Sequence, residues 1–316
     1  MKAIVIPTFG DIDILELTDI EKPVPGEGEV LIRIKAAGVN PVDAKIRQGL
    51  LQARMPNILP LIPGWDMSGI VEANGYSANR FKPGDKVFAY ARRTVIQKGT
   101  YSEYISLPES YISLMPQNLS FAEAASIPLS ALTAFQSMFD LGKMTIDQKV
   151  VILGASGGVG SFAVQFAKLT GAKVYAVAGN GRESYLKSLG ADFIIDYSKG
   201  SIKDQIKALI PSGADLVFDC VGKDLTNEAY EYVKVNGHLI SLIAQPNPEL
   251  VNKFKVNFNY HFVEPNSTQL ELIAEWVEQG KVKTSVFKIF DLKDVAEAHK
   301  LIESGHTQGK IILNIP

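Results

Sequence analysis

The chain has 316 residues, with 32 basic and 34 acidic side chains and a formal net charge of -2. This near balance gives no general attraction to nucleic acid or to an anionic membrane, so we expect neither as a partner. The single cysteine, Cys220, excludes an internal disulfide and a multi-cysteine metal site. No run approaches the roughly twenty apolar residues of a membrane helix, and we expect a cytoplasmic protein of two domains.

Short strands separated by Gly and Pro are predicted for the first third of the chain. The predicted strands are residues 2–6, 29–36, 66–73 and 86–90. Alternating apolar and polar residues in the second of them indicate a half-buried strand. Because long helical periodicity is missing, the pattern favours an all-β, barrel-like domain.

Helical segments are predicted from about residue 120, and strands and helices alternate from residue 149 onward. Ser120 and Glu123 have the spacing of a capping box, which predicts a helix start, and a second helix is predicted over 129–141. Continuous apolar runs at 150–153, 174–178, 193–195, 216–220 and 238–243 are typical of buried parallel strands, which predicts a doubly wound α/β domain over 129–263. A last helix (268–279) and strand (310–315) have no place in that sheet. We expect them to return to the first domain, which would comprise 1–128 and 264–316.

The sharpest motif is the glycine-rich segment GASGGVG at 154–160, between a predicted strand and a predicted helix at 162–169. A helix N-terminus offers unpaired N–H groups and partial positive charge, which stabilise a pyrophosphate. Gly157 permits its close approach and Gly160 lets the helix pack against the strand, while Ala155 stands where a glycine is usual. Glycines also mark ordinary turns, but the strand, loop and helix in this order predict dinucleotide binding. The residues expected to bind the dinucleotide here are Ser156, Gly157, Gly158, Val159 and Gly160.

The second strand of the α/β domain indicates which dinucleotide binds. NAD-binding proteins usually carry an acidic residue about twenty positions beyond the loop. Here the strand ends at Ala178, and Gly179, Asn180 and Arg182 follow it closely. A carboxylate would repel the 2′-phosphate of NADP, whereas an arginine and an amide would hold it. We therefore predict NADP(H); the alternative is that Arg182 merely occupies the solvated start of a helix.

Six segments carry a family resemblance: 40–45 (NPVDAK), 63–66 (PGWD), 131–134 (ALTA), 154–160, 189–192 (LGAD) with 196–197, and 305–310. Across its whole length the chain resembles the medium-chain dehydrogenase/reductases. Within them it is similar to the quinone oxidoreductase, or zeta-crystallin-like, branch and especially to plant enone and alkenal oxidoreductases. The resemblance implies an α/β fold with a GroES-like β-barrel catalytic domain and a Rossmann nucleotide-binding domain.

Zinc-dependent relatives place a cysteine near residues 39–40 and Gly-His-Glu where this chain has Gly64-Trp65-Asp66. Indole cannot ligate zinc, and the four histidines show no ligand spacing. We therefore expect no metal site. His238 and His261 lie in or beside apolar runs and are expected to be packed core residues.

The resemblance also implies cofactor contacts outside the glycine-rich loop. Asn40 and Lys45 would face the nicotinamide half, and Thr133 the nicotinamide ribose. A turn-shaping asparagine, a solvated lysine and a helix-packing threonine are the respective alternatives. The other implied contacts are Tyr197 near the adenosine, Cys220, Val221, Leu242, Ile243 and Ala244 near the nicotinamide, and Gly309 and Lys310 closing the site. For Cys220 a small buried hydrophobic residue is the preferred interpretation.

The implied activity is hydride transfer from NADPH to the activated C=C bond of an enone or enal, or to a quinone. Asn40, Thr133 and Tyr90 are assigned to the reacting centre. The subsequent proton could come from water or from Tyr90 or Tyr101, each of which could equally be a packed aromatic. Two alternatives stay open: an enoyl-thioester reductase, and an NADPH-binding structural or regulatory protein with little catalysis. By analogy with relatives that pair through sheet edges, a homodimer is expected.

Overall fold

The computed structural model describes residues 1–316, which divide into two compact units. The first comprises Met1–Leu129, Glu264–Gly280 and Thr284–Pro316, and the second comprises Ser130–Val263 and Lys281–Lys283. Two short pieces thus lie across the predicted boundaries. Leu129 belongs to the first unit, where its N–H donates to Asp66 Oδ1 at 2.6 Å. Residues 281–283 belong to the second, where Lys283 exchanges hydrogen bonds of 2.7 and 3.0 Å with the Gln165 amide.

The regular elements follow in chain order. The strands are β1 (Lys2–Val5), β2 (Glu16–Asp19), β3 (Glu29–Val39), β4 (Asp66–Asn74), β5 (Lys86–Tyr90), β6 (Tyr104–Pro108), β7 (Ile112–Leu114), β8 (Lys149–Leu153), β9 (Lys173–Ala178), β10 (Phe193–Asp196), β11 (Ala214–Asp219), β12 (Val233–Ser241), β13 (Asn257–Tyr260), β14 (Val286–Asp291) and β15 (Lys310–Asn314). The helices are α1 (Pro41–Arg47), α2 (Phe121–Ala125), α3 (Pro128–Phe135), α4 (Gly158–Leu169), α5 (Glu183–Ser188), α6 (Ile202–Leu209), α7 (Asp224–Ala229), α8 (Pro248–Phe254), α9 (Ser267–Glu278) and α10 (Val295–Glu303). None of these helices combines the length and the apolar content that a bilayer crossing requires.

A mixed sheet of order β14-β15-β3-β4-β5-β7 forms the centre of the first unit, and β6 also pairs with β3. The long strand β3 organises this sheet, because it pairs antiparallel with β15, β4 and β6. Its residues Val30, Ile32 and Ile34 are fully buried in the core. Strand β15 pairs with β3, so the C-terminal strand lies in the sheet of the first unit.

Six parallel strands of order β10-β9-β8-β11-β12-β13 form the centre of the second unit. Numbered within the unit, this order is 3-2-1-4-5-6, which confirms the predicted doubly wound sheet. The register pairs Leu153 with Val177 and with Asp219, and Asp219 with Ser241. The carboxyl ends of these strands therefore lie along one edge of the sheet.

Local sequence signals were correct where they were strong. The predicted capping box is present: Ser120 Oγ accepts from the Glu123 N–H, and Glu123 accepts from the Ser120 N–H at 2.8 Å. Five strands (β2, β6, β7, β13, β14) and the helices α1 and α10 were not predicted; most of these elements are short and carry too few residues for a periodic pattern.

Two predicted strands of the parallel sheet extended one or two residues too far. Strand β11 ends at Asp219, not at Cys220, because the Asp219 carboxylate accepts from the N–H groups of Val221 and Gly222 and turns the chain. Strand β12 ends at Ser241, not at residue 243, because the Ser241 hydroxyl accepts two following N–H groups in the same way.

Candidate functional site

The glycine-rich loop joins β8 to α4 in the second unit. Gly154 adopts φ +76°, a conformation that favours glycine, and Gly157 is the N-cap of α4. A Cβ on Gly160 would lie 2.3 Å from the Gly154 carbonyl oxygen, so the helix start packs directly on the loop. A Cβ on Gly157 would meet only that same oxygen at 3.5 Å, which leaves the space above the helix N-terminus open. The first turn of α4 carries no acidic residue, so nothing there would repel a phosphate.

The ends of β9 and β10 form the next part of this edge. Ala178 ends β9, so no carboxylate occupies the position that would bind a ribose 2′-hydroxyl. A Cβ on Gly179 would lie 2.5 Å from the Tyr197 hydroxyl oxygen, so the exposed Tyr197 ring sits close against a glycine that leaves room for it. Arg182 is the N-cap of α5 and is half-buried, while Asn180 is exposed. The structure therefore brings Tyr197 and Gly179 together, with Arg182 two residues beyond Asn180.

The turns after β11 and β12 complete the edge and are built on one buried carboxylate. Asp219 Oδ1 accepts from the N–H groups of Val221 and Gly222, both at 2.9 Å. Its Oδ2 accepts from the hydroxyls of Thr226 at 2.6 Å and Ser241 at 2.8 Å. Sequence reasoning missed Asp219; the available signal was an acidic residue at the end of a buried apolar strand.

Ser241 extends this network to the second turn. Its hydroxyl accepts from the N–H groups of Ile243 at 3.2 Å and Ala244 at 3.1 Å. Val221 and Ile243, one on each turn, expose 43% and 45% of their surfaces. Exposed aliphatic side chains on two fixed turns form an apolar surface suited to a flat ring.

Cys220 and Leu242 precede these two apolar residues. The Leu242 N–H donates to the Asp219 carbonyl at 3.1 Å, which ties the second turn to the first. Burial of the sulfur, and the negative Asp219 beside it, raise the pKa of the Cys220 thiol well above its ordinary value. A thiol held protonated in this way is a poor nucleophile and metal ligand, which agrees with a packing role.

In the first unit, Asn40 and Lys310 are buried around Asp66. Lys310 Nζ and Asn40 Nδ2 each donate to Asp66 Oδ2 at 2.9 Å, and Lys310 Nζ also donates to Asn40 Oδ1. Asn40 is also the N-cap of α1, which carries the half-buried Lys45. The Lys310 ammonium uses two of its three hydrogens inside this unit. Sequence reasoning missed Asp66 as a partner of either residue.

Gly309 precedes β15 and adopts φ +87°. A Cβ there would lie 2.5 Å from the Ser285 carbonyl oxygen, which also accepts from the Lys310 N–H at 2.8 Å. This close approach fixes how the chain enters β15. It therefore also fixes the position of Lys310.

Asp43 and the two tyrosines proposed as proton donors are buried in the same unit. Tyr101 donates to Asp43 Oδ2 at 3.0 Å, whereas the Tyr90 hydroxyl has no hydrogen-bond partner and its ring packs edge-on against Trp65. Burial raises the pKa of Asp43 to about 7 and raises the pKa of both tyrosines well above 10. Both tyrosines are therefore weaker acids than a solvated tyrosine.

Thr133 lies on α3 in the second unit and is buried. The predicted residues thus fall into two groups, each collected within one unit. In the first unit they are Asn40, Lys45, Tyr90, Gly309 and Lys310; in the second they are Thr133 and the residues along the carboxyl edge of the parallel sheet.

The side chains around Trp65 and Asp66 lack a donor set for zinc. No group of three or more His, Cys, Asp and Glu side chains in residues 1–316 could hold a metal ion. At the position where zinc-dependent relatives carry a histidine, Trp65 packs against Tyr90. The neighbouring Asp66 is bonded to an ammonium. These residues do not fit a zinc ion.

Comparison with known families matches both parts of the chain. The family described as "Alcohol dehydrogenase GroES-like domain" matches residues 26–117, and the family described as "Zinc-binding dehydrogenase" matches residues 189–313. The NADPH-dependent alkenal/one oxidoreductase, chloroplastic, of Arabidopsis thaliana is 35% identical, over 99% of this chain and 79% of that protein.

Two solved structures cover nearly the whole chain. One, described as an NAD-dependent alcohol dehydrogenase, has a TM-score of 0.92 and 31% identity over 100% of both chains. The other, the Escherichia coli quinone oxidoreductase complexed with NADPH, has a TM-score of 0.90 and 25% identity over 99% of this chain and 100% of that chain. The GroES-like domain, the doubly wound nucleotide domain and these relatives together show that this chain belongs to the medium-chain dehydrogenase/reductase family.

Proposed function

We propose that the chain is an NADPH-dependent oxidoreductase that reduces the activated C=C bond of an enone or enal, or a quinone, without a metal ion. The observation that carries the proposal is the start of α4: a glycine N-cap with open space above it and no acidic residue in the first turn. A relative named for NADPH-dependent alkenal/one reduction supports the substrate class.

The second unit offers residues for each part of NADPH. The main-chain N–H groups from Ser156 to Gly160 would hold the pyrophosphate. Gly179, Asn180, Arg182 and Tyr197 would hold the adenosine and its 2′-phosphate, since Ala178 removes the carboxylate that would repel it. Val221 and Ile243, with Cys220, Leu242 and Ala244 beside them, would pack against the nicotinamide. Thr133, Asn40, Lys45 and the Gly309–Lys310 main chain are proposed as further contacts to the nicotinamide half.

When bound, NADPH supplies the hydride. Negative charge then develops on the carbonyl oxygen of the substrate, and hydrogen-bond donors must stabilise it if no metal does. The hydroxyl of Thr133 can donate such a bond, while Asn40 is assigned to the nicotinamide half of the cofactor. Tyr90 is the proposed proton donor from the chain; because burial raises its pKa, we expect it to stay protonated across the physiological range.

The donor chemistry around Asp66 supports the proposal that the protein needs no zinc ion. The ion pair with Lys310 takes up Asp66 Oδ2, and Trp65 offers no ligand. Purified protein should keep full activity after treatment with a strong chelator and dialysis. Loss of activity that added zinc restores would refute this part of the proposal.

The experiment for the function itself is a substrate panel. We expect NADPH oxidation with small enals, enones or quinones, and much less with NADH. Turnover confined to enoyl thioesters would favour a thioester reductase. NADPH binding without turnover on any of these compounds would favour a structural or regulatory protein, and absence of NADPH binding would refute the proposal.

We further propose a cytoplasmic homodimer. The outermost strand β13 leaves one edge of the parallel sheet free to pair with a second copy. The single cysteine suits a reducing compartment. Light scattering coupled to size exclusion tests the dimer, and imaging of the tagged full-length protein tests the location.

A further inference from the structure

Three side chains buried in the first unit, Asn40, Asp66 and Lys310, bond to one another in a triangle. Lys310 Nζ donates to Asp66 Oδ2 at 2.9 Å and to Asn40 Oδ1, and Asn40 Nδ2 donates to Asp66 Oδ2 at 2.9 Å. The exposed fractions of the Asp66 and Lys310 side chains are 0% and 5%. Water therefore does not compete for these bonds, and each constrains the geometry strongly.

The triangle selects one orientation of the Asn40 amide. An asparagine can exchange the places of its oxygen and nitrogen by a rotation of its terminal group. In this site, the exchange would bring Oδ1 against the Asp66 carboxylate and the NH2 group against the Lys310 ammonium, and both contacts would be repulsive. In the orientation that remains, Nδ2 gives one hydrogen to Asp66 and keeps a second that neither charged partner uses.

The triangle is itself held by the main chain. Asp66 Oδ1 accepts from the Leu129 N–H at 2.6 Å, at the start of α3. The Asn40 N–H donates to Asp43 Oδ2 at 2.8 Å, at the start of α1. Both Asp66 oxygens and both ends of Asn40 are thus fixed, so the amide has a rigid support.

We propose that Asp66 and Lys310 are positioning residues: their ion pair holds the Asn40 amide with its remaining N–H fixed as a donor for an acceptor oxygen in the nicotinamide half of NADPH. The inference rests on the proposed function, and it assigns Lys310 an indirect role in place of a cofactor contact through its ammonium. Removing the ion pair should free the amide to rotate, and the donor would then be misdirected part of the time.

The test compares a charge-free double variant, Asp66→Asn with Lys310→Met, with Asn40→Ala and with the triple variant. Removing both charges avoids leaving one of them buried alone. Because one neutral hydrogen bond is lost, we expect the double variant to bind NADPH about 3- to 10-fold more weakly and to lose kcat by a similar factor. Adenosine 2′,5′-bisphosphate, which lacks the nicotinamide half, should bind with unchanged affinity.

The mutant combination separates positioning from a merely structural role. If the pair acts through Asn40, the triple variant should be no worse than Asn40→Ala. The control is Glu271→Gln, which makes the same carboxylate-to-amide change in the 2.7 Å ion pair with Arg80 and should leave kcat and both affinities unchanged.

The proposal would be overturned if the losses of NADPH affinity and kcat multiplied in the triple variant. It would also be overturned if the double variant kept wild-type NADPH affinity and kcat. An equal loss of affinity for adenosine 2′,5′-bisphosphate would also overturn it. If the double variant does not fold, Asp66→Asn with Lys310→Gln, which also removes both charges but keeps a polar group at each position, is measured with the same loss expected and the same conclusions. Wild-type protein that binds neither nucleotide would refute the proposed function, a result distinct from failure of the positioning role alone.

Discussion

Gly157 and Gly160 lie at the start of α4, and alanine should mainly affect a different property at each: NADPH affinity at Gly157 and stability at Gly160. A Cβ on Gly160 would lie 2.3 Å from the Gly154 oxygen, and 2.7 and 2.9 Å from Ala155 Cα and C. These are backbone atoms, so no side-chain rotation can relieve the overlap, and overpacking of this kind costs about 1–3 kcal/mol. Alanine is favoured over glycine within a helix by up to about 1 kcal/mol, which offsets part of that cost. We therefore expect Gly160→Ala to lower the free energy of unfolding by about 1–2 kcal/mol.

Gly157→Ala is the matched variant. Its Cβ would meet a single atom at 3.5 Å, and φ is -76°, which alanine adopts readily. Because alanine is a weaker N-cap than glycine, we expect a stability loss within about 1 kcal/mol. The new methyl group would stand where the pyrophosphate approaches the first-turn N–H groups, and NADPH affinity should fall by about tenfold or more, equivalent to 1.4 kcal/mol or more.

Urea unfolding and titration of NADPH fluorescence measure the two effects separately. Gly160→Ala should shift the unfolding midpoint without a change in the m-value. The reasoning would be refuted if Gly157→Ala bound NADPH as tightly as wild type, since the open space above α4 would then not be the phosphate site. A Gly160→Ala protein as stable as wild type would refute the packing argument.

Three further predictions follow from single side chains. Arg182→Ala should raise the KM for NADPH more than that for NADH; equal changes in steady-state kinetics would remove the 2′-phosphate role. Asp219→Ala deletes the acceptor for two N–H and two hydroxyl groups, so the free energy of unfolding measured with urea should fall by about 2–4 kcal/mol. A fall of less than about 1 kcal/mol would contradict the role of this network. Because the pKa of Asp43 is about 7 folded against an ordinary 3.8, its contribution to stability is greatest below pH 4 and is lost as pH rises through 7. The wild-type protein and the Asp43→Asn variant should therefore differ less in unfolding free energy as the pH rises from 4 to 7. A difference that does not change with pH would refute the raised pKa of Asp43. Taking the difference cancels the opposite slope of His299, whose pKa burial lowers to about 3.

The sequence alone was sufficient for features that depend on a few neighbouring residues. The segment 154–160 predicted a strand, a glycine-rich loop and a helix in that order, because glycines and a helix N-terminus act over one or two turns. Ala178 and Arg182 led to the prediction of NADP(H), because a charge that would meet a 2′-phosphate is expected just beyond the end of one strand. Continuous apolar runs predicted the parallel sheet, because strands buried on both faces need apolar residues at every position.

Only the tertiary structure decided which distant residues meet. Asp66 and Lys310 are 244 positions apart, and no local pattern relates them. They meet because β15 and β4 both pair antiparallel with β3: Ile311 lies opposite Val39, and Asp66 opposite Gly38. A register shift of one residue in either pairing would turn these side chains to the other face of the sheet. The local pattern thus set which segments become strands, while the pairing of β3 with two remote strands placed the ion pair beside Asn40.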